Sequence, residues 1–353
     1  VLPGLKKTKG AWAYSTKTET ILKKYDKACI DHRCNFSYIE KEEPGAVRLV
    51  ILTDTFSYLA MSYVSYCIDS SLSKIKGLYN YYSNDDKLKF WTGCEERIRR
   101  GTFNTDVDFS GWDETVSHDL VNILFDAMIK RFKYSDRYLC HYINDCKEFF
   151  NNSYLMGDKI VNGLASGLRW TTFINSVINL ALNLVAIDDM GIQRYVNDLV
   201  VLGDDVHLDT RIPANDYFSL LNSYGFEVNI RKSHQSQEYG EFLKMMITKK
   251  GVKGDFIRGL RAILWSSESE RDSSGLSSIM NTRVDLWVKL MSRDQQFSVT
   301  KENLVSDIFG ACGGKVGKKK ISDMLFTPRS LGGLGFQTNV EYRFVFSARR
   351  PPE

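Results

Sequence analysis

The 353-residue sequence predicts an α+β chain, with a β-containing centre and a more polar, helical C-terminal part. Three observations predict it. Short apolar runs flank two tight-turn signals, Gly203-Asp204-Asp205 and Lys249-Lys250-Gly251, as the arms of β-hairpins do. Apolar residues recur at helical spacing over residues 120–132, and an apolar helix is expected over 171–187. Hydrophobic residues make up 43% and charged residues 25%, which excludes a disordered tail, a collagen-like chain and a coiled-coil rod.

In chain order, residues 16–25 have helical character. Residues 47–51 form a β-branched run after the turn Pro44-Gly45 and read as a strand. Residues 56–72 are mostly apolar and read as a helix, and residues 83–86 as a loop. Residues 105–109 alternate polar and apolar, as a strand running from edge to core would. A Gly/Ser-bearing loop over 163–167 leads into the helix at 171–187. The hairpin arms lie at 198–202 and 206–208, then at 242–247 and 252–256. Beyond about 260 come a Ser/Glu/Asp/Arg-rich stretch (266–274) and a Gly/Lys stretch (313–320). The apolar run 173–187 is too short for a membrane span and three asparagines interrupt it, so no membrane partner is expected.

Forty-seven Lys+Arg against 43 Asp+Glu give a formal +4, which permits a nucleic-acid partner without requiring one. Seven irregularly spaced cysteines read as reduced thiols in a cytosol-like compartment. The start Val1-Leu2-Pro3-Gly4 shows no secretory signal and no initiator Met, so a fragment or processed chain is expected. Cys29, His32 and Cys34, like Cys140, His141 and Cys146, lack a C-x2-C pair, and no zinc site is expected. The lysines of 313–320 miss the P-loop spacing and read as RNA-phosphate contacts or a solvated loop.

The chemistry lies in two acidic centres. Asp204 and Asp205 are adjacent carboxylates at a hairpin tip and repel each other, a conflict that a cation relieves. Hard oxygen ligands at an exposed turn suit Mg²⁺. A plain polar turn is the alternative. The second centre, Asp106-Val107-Asp108-Phe109-Ser110-Gly111-Trp112-Asp113, ends a strand with Asp108. If that strand end meets the hairpin, three carboxylates come together as a two-metal phosphoryl-transfer site. Asp106 shares the sheet face of Asp108 and reads as a surface residue, with ligation as the alternative. His207 reads as structural, His118 as a helix start and Trp112 as packing within its turn. On the 171–187 helix, Thr171, Asn175, Asn179 and Asn183 recur every four residues as a polar stripe. Asn179 and Asn183 read as buried amides satisfied by backbone. Ser166, Thr171 and Asn175, at the loop end, read as ligand contacts.

Asp-x4-Asp, then Ser-Gly-x3-Thr-x3-Asn, then Gly-Asp-Asp, in this order, resembles palm motifs A, B and C of viral RNA-dependent RNA polymerases. The flanks agree. Residues 41–48 resemble motif F of the fingers, Tyr224-Gly225-Phe226 through Arg231-Lys232-Ser233 resembles motif D, and Phe242-Leu243-Lys244 resembles motif E. Residues 327–335 are similar to a thumb element of totivirus-like polymerases of double-stranded RNA viruses.

The resemblance implies a right-hand fold of fingers, a palm with an antiparallel sheet, and a thumb. Its divisions would be partial fingers with motif F (1–104), motif A (105–118), a fingers/palm insertion (119–160), motifs B to E (161–257) and thumb (258–353). It implies that Asp108 and Asp204, assisted by Asp205, bind two Mg²⁺ ions, with Mn²⁺ as the alternative. Asp113 and Asn175, helped by Ser166, Gly167 or Thr171, would sense the ribose 2′-hydroxyl. Arg48 would bind the triphosphate and Lys232 would be the general acid. Lys244 would lie along the nascent strand. Ala46 replaces a lysine common in motif F, so that phosphate contact is expected to be absent or to come from Lys41. About forty residues precede motif F, fewer than the N-terminal fingers need, so that part is expected to be missing. The implied partners are template and nascent RNA, ribonucleoside triphosphates and a viral capsid protein, inside the virion in the host cytoplasm. A reverse transcriptase and an inactive RNA-binding or scaffold module derived from a polymerase are the rival readings.

Overall fold

The computed structural model describes residues 19–20, 23, 33–43, 46–264, 275–293 and 299–336. The helix expected over 16–25 lies largely outside these residues, and the polar stretch 266–274 wholly so. The chain divides into two compact units, Val1–Leu243 and Lys244–Glu353.

The first unit opens with an antiparallel pair, β1 (Cys34–Glu43) and β2 (Ala46–Leu52), the latter enclosing the strand expected at 47–51. Helix α1 (Thr55–Leu72) starts where the Asp54 carboxylate accepts the Ser57 N–H at 3.1 Å. Helix α2 (Asn84–Arg99) begins inside the stretch read as a loop. Ser83 and Asp86 form a capping box there, each side chain accepting the other's backbone N–H, so these polar residues start a helix rather than interrupt one. Strand β3 (Phe103–Val107) follows, then a single helical turn α3 (Trp112–Thr115). Helix α4 (His118–Phe132) starts at His118 because the Ser117 hydroxyl accepts the Leu120 N–H. Helix α5 (Arg137–Asn151) is capped in the same way by Asp136. Two short strands, β4 (Ser153–Leu155) and β5 (Asp158–Lys159), complete a sheet of order β2-β1-β4-β5.

Helix α6 (Thr171–Asp189) is apolar enough over its length to span a membrane by composition alone. In this unit it packs on β6 (Val196–Leu202) and on α7 (Tyr217–Ser223). Strand β7 (Asp205–Thr210) returns beside β6, and β8 (His234–Ser236) and β9 (Tyr239–Phe242) follow α7. The second sheet has the order β6-β7-β3-β8. β3 is therefore a central strand, with four of its five residues buried, and not the edge-to-core strand its alternation suggests. Its polar residues Asn104, Thr105 and Asp106 are all interior.

The second unit begins with the hairpin β10 (Met245–Thr248) and β11 (Gly251–Gly254) around Lys249-Lys250. Four helices follow among the described residues: α8 (Phe256–Leu264), α9 (Leu276–Arg293), α10 (Lys301–Ala311) and α11 (Lys318–Met324). Val284, Leu304, Ile308, Leu325 and Leu334 centre its core. Buried Arg283 joins three helices, donating to the Asp307 carboxylate and to the Ile263 carbonyl. The six described cysteines are free thiols.

Candidate active site

The β6–β7 hairpin closes on the pair Leu202–Asp205, leaving Gly203-Asp204 as its two-residue turn. Gly203 has φ 62°, a left-handed conformation that side-chain-bearing residues adopt at a cost. β3 runs antiparallel to β7 as far as the pair Val107–Val206. The next residues on the two strands are Asp108 and Asp205. Neighbouring positions in such a ladder lie about 5 Å apart at Cα, so both acidic centres meet at one edge of this sheet. Asp108 is held by its backbone. Its N–H donates to Ser233 Oγ at 2.9 Å and its carbonyl accepts the Asn229 N–H at 2.8 Å. Lys232 Nζ lies 3.6 Å from Asp108 Oδ1.

At this edge opens a polar cleft of about 540 Å³, lined by Asp113, Ser166, Thr171, Asn175, Gly203 and Asp204 among others. Asn175 Nδ2 donates to Asp113 Oδ1 at 2.7 Å. The residue is 5% exposed, and its Oδ1 has no partner among the described residues. That oxygen is itself closed to solvent, so it meets a ligand donor only if the amide shifts toward the cleft. Thr171 reaches the cleft, but its hydroxyl donates to the loop carbonyls of Ala165 (2.7 Å) and Leu168 (2.9 Å), which shapes the loop. Ser166 Oγ accepts the Ile51 N–H at 3.3 Å. Gly167 lies so close to β2 that a Cβ there would stand 1.8 Å from the Ile51 carbonyl oxygen.

The Lys41 and Arg48 backbones pair directly across β1 and β2. Their side chains lie outside the described ones. Lys244 opens the second unit with φ 63°. Trp112 packs as expected, stacked on Phe226 with ring centroids 4.8 Å apart.

Asp106 corrects the surface reading. It is 5% exposed, with His207 Nδ1 at 3.1 Å from Oδ1 and His234 Nε2 at 3.0 Å from Oδ2. Burial opposes charge on Asp106, yet the two imidazoles hold its carboxyl below the usual range. Burial alone would lower the His207 imidazole too; Cys94 and Asp106 outweigh it and push it up to about 10. Asp106 thus faces into the sheet's packing and away from ligation. His207 is structural, as expected.

Among the described residues, no three His, Cys, Asp or Glu side chains close into a metal cage. The carboxylates at the cleft are hard oxygen donors on an open edge, a donor set that fits an ion sharing its coordination with water and phosphate oxygen.

Sequence reasoning passed over Ser176, whose Oγ accepts the Gly203 N–H at 2.8 Å, and Ser233. Each had a signal. Ser176 is a hydroxyl on an apolar helix directly after Asn175, and Ser233 directly follows Lys232. Asn179 and Asn183 bond backbone carbonyls, as read.

Comparison with known proteins adds the family. Residues 31–268 match the family model described as viral RNA-directed RNA-polymerase. The probable RNA-directed RNA polymerase of Giardia lamblia virus (isolate Wang) is 27% identical over 259 residues, covering 68% of this chain and 13% of that protein. The probable RNA-directed RNA polymerase of Helminthosporium victoriae virus-190S is 27% identical over 240 residues, covering 65% of this chain and 28% of that one. The chain thus spans well under two thirds of the length of these relatives. The fold is similar to the RNA-dependent RNA polymerase of a human picobirnavirus, with TM-score 0.64 and 12% identity over 86% of this chain and 61% of that one. An insertion-loop deletion mutant of a human picobirnavirus polymerase gives TM-score 0.60 and 13% identity over 81% and 59%. With the family model covering more than half of its length, the chain belongs to the totivirus-type viral RNA-directed RNA polymerases.

Proposed function

We propose that this chain carries the catalytic centre for template-directed addition of ribonucleotides to an RNA 3′-hydroxyl. The observation that supports it best is the single cleft where Asp204 of the β6–β7 turn stands with the Asp113–Asn175 pair, beside the strand ends bearing Asp108 and Asp205.

The family implies divalent-metal use. Asp108, Asp204 and Asp205 would hold two Mg²⁺ or Mn²⁺ ions, which when bound make the 3′-hydroxyl more acidic and neutralise the triphosphate. The chain's own groups do the rest. Asn175, with its Oδ1 shifted to face the cleft, accepts a hydrogen bond from the ribose 2′-hydroxyl, while Asp113 holds the amide through Nδ2. A deoxynucleotide leaves this acceptor unmet, a penalty of about 1–3 kcal/mol. Ser166, Gly167 and Thr171 shape the loop under the nucleotide. The Lys232 ammonium, 66% exposed beside Asp108, gives a proton to the departing pyrophosphate oxygen. Arg48 and Lys41 contact the triphosphate, and Lys244 the nascent strand. Fingers (1–104), motif A (105–118), an insertion (119–160), motifs B to E (161–257) and thumb (258–353) divide the work. Template and nascent RNA are the polymer partners. A capsid protein and a place inside the virion, in the host cytoplasm, fit a virus with a double-stranded RNA genome.

Template-dependent incorporation of labelled ribonucleotides, measured for wild type and Asp204→Ala, tests this. Equal incorporation by both would refute the role of Asp204. Efficient deoxynucleotide incorporation would favour a reverse transcriptase. RNA binding with no metal-dependent synthesis would favour a scaffold role.

A further inference from the structure

Gly203, the residue before Asp204, has both of its backbone polar groups held by one helix. Its N–H donates to Ser176 Oγ at 2.8 Å, and its carbonyl accepts from Asn179 Nδ2 at 3.0 Å. Asn179 is in turn fixed from behind. Asn183 Nδ2 donates to the Asn179 Oδ1 and carbonyl oxygen, both at 2.7 Å, and the Tyr217 hydroxyl donates to Asn183 Oδ1. Ser176, Asn179, Asn183 and Tyr217 are all fully buried.

Stability alone does not explain this chain of polar groups. A buried amide or hydroxyl is costly unless bonded, and when bonded it adds little net stability. Ser176 and Asn179 satisfy the Gly203 N–H and carbonyl, which apolar residues would leave unmet, but Asn183 and Tyr217 behind them make no bond to that peptide. What the network supplies is a single position for one peptide. Without it, a left-handed glycine followed by two like-charged carboxylates is a joint free to swing, and the carboxylates' own repulsion pushes it open. The same helix carries Asn175 one residue before Ser176, so the amide bonded to Asp113 and the grip on Gly203 share one rigid element.

We propose that Ser176 and Asn179 are positioning residues that lock the Gly203–Asp204 turn for metal binding and set its place relative to Asn175. The inference rests on the reading of Asp204 as a metal ligand. Loss of the grip leaves nucleotide contacts intact and loosens the ion site alone.

Two measurements on Ser176→Ala and Asn179→Ala test it. The first is Mn²⁺ binding by water-proton relaxation in the presence of a non-hydrolysable ribonucleotide. The second is ribonucleotide incorporation over a Mg²⁺ series, with the nucleotide KM taken at saturating Mg²⁺. Ser176→Ala should weaken Mn²⁺ binding and raise the half-saturating Mg²⁺ about tenfold, with KM within twofold of wild type and the rate restored by high Mg²⁺. A lower rate with unchanged metal dependence, or a raised KM at saturating Mg²⁺, would overturn the proposal. Asn179→Ala, which removes the other half of the grip, should behave alike; if only one variant folds, its metal dependence decides. Asp204→Asn separates the two readings. If it binds Mn²⁺ like wild type, the ligand role of Asp204 fails. If it loses Mn²⁺ while both grip variants bind normally, the positioning role alone fails.

Discussion

The β6–β7 and β10–β11 hairpins share a two-residue turn and an antiparallel register, and each carries a glycine at positive φ. They differ in what holds the turn. At Lys249-Lys250 a local side chain takes part. The Thr248 hydroxyl donates to the Gly251 carbonyl at 2.9 Å and accepts the Lys250 N–H at 3.2 Å. At Gly203-Asp204 the grip comes from α6, more than twenty residues away in sequence. A turn that only reverses the chain needs its own residues. One that must present a carboxylate at a fixed point is built with partners from another element.

Four experiments would break or sharpen this contrast. The largest effect belongs to the presented carboxylate itself. Asp204→Ala should lower ribonucleotide incorporation on the order of 10³-fold, and a loss of only a few-fold would reduce the first hairpin to the same rank as the second. Next is the support under β3. Asp106→Asn leaves His207 and His234 facing a neutral amide, and removing one partner from a buried ion pair costs about 3–5 kcal/mol. A fall in the urea midpoint of the first unit, followed by tryptophan fluorescence, checks it; an unchanged midpoint would mean the cluster carries no charge.

Smaller losses follow at single contacts. Ser176→Ala should strip exchange protection from the Gly203 amide by about 1–3 kcal/mol, the cost of an unmet interior donor. Thr248→Val should cost the Lys250 amide only about 0.5–1.5 kcal/mol. Amide exchange by NMR reads both, and equal losses would erase the distinction. The smallest effect is at the exposed start of α2. The Ser83 hydroxyl and backbone N–H hold the Asp86 carboxyl below its ordinary value. The lowered pKa means this cap stabilises α2 fully above the unfolded carboxylate pKa, near 4, and fades as pH falls through the lowered folded value. Protection of the first-turn amides of α2, taken against their intrinsic exchange rates, should fall there in wild type, and Ser83→Ala should remove most of that pH dependence.

Much of the candidate site was legible because it follows from local pattern. The hairpin around Gly203, the strand end at Asp108 and the helix after Ser166-Gly167 each announce themselves within about ten residues. Their order then carried the family resemblance. The cleft brings together Asp113, Ser166, Thr171, Asn175 and Asp204, all of them named from sequence. The illegible part depends on partners far along the chain. Asp106 reads as exposed because aspartates mostly are; its imidazoles arrive from β7 and β8. The polar run at Ser83 reads as a loop because capping residues and loop residues are the same amino acids. β3 looks like an edge because its buried polar side chains mimic a solvent-facing alternation.

The Asp106 cluster also governs alignment. Strand pairing repeats every two residues, so a slip of β3 by one place would turn its faces over and set Thr105 or Val107 between two imidazoles. Neither can answer their charge. A buried anion two residues upstream therefore acts as an index pin. It disfavours the one-place slips, which would carry Asp108 to the opposite face of the sheet.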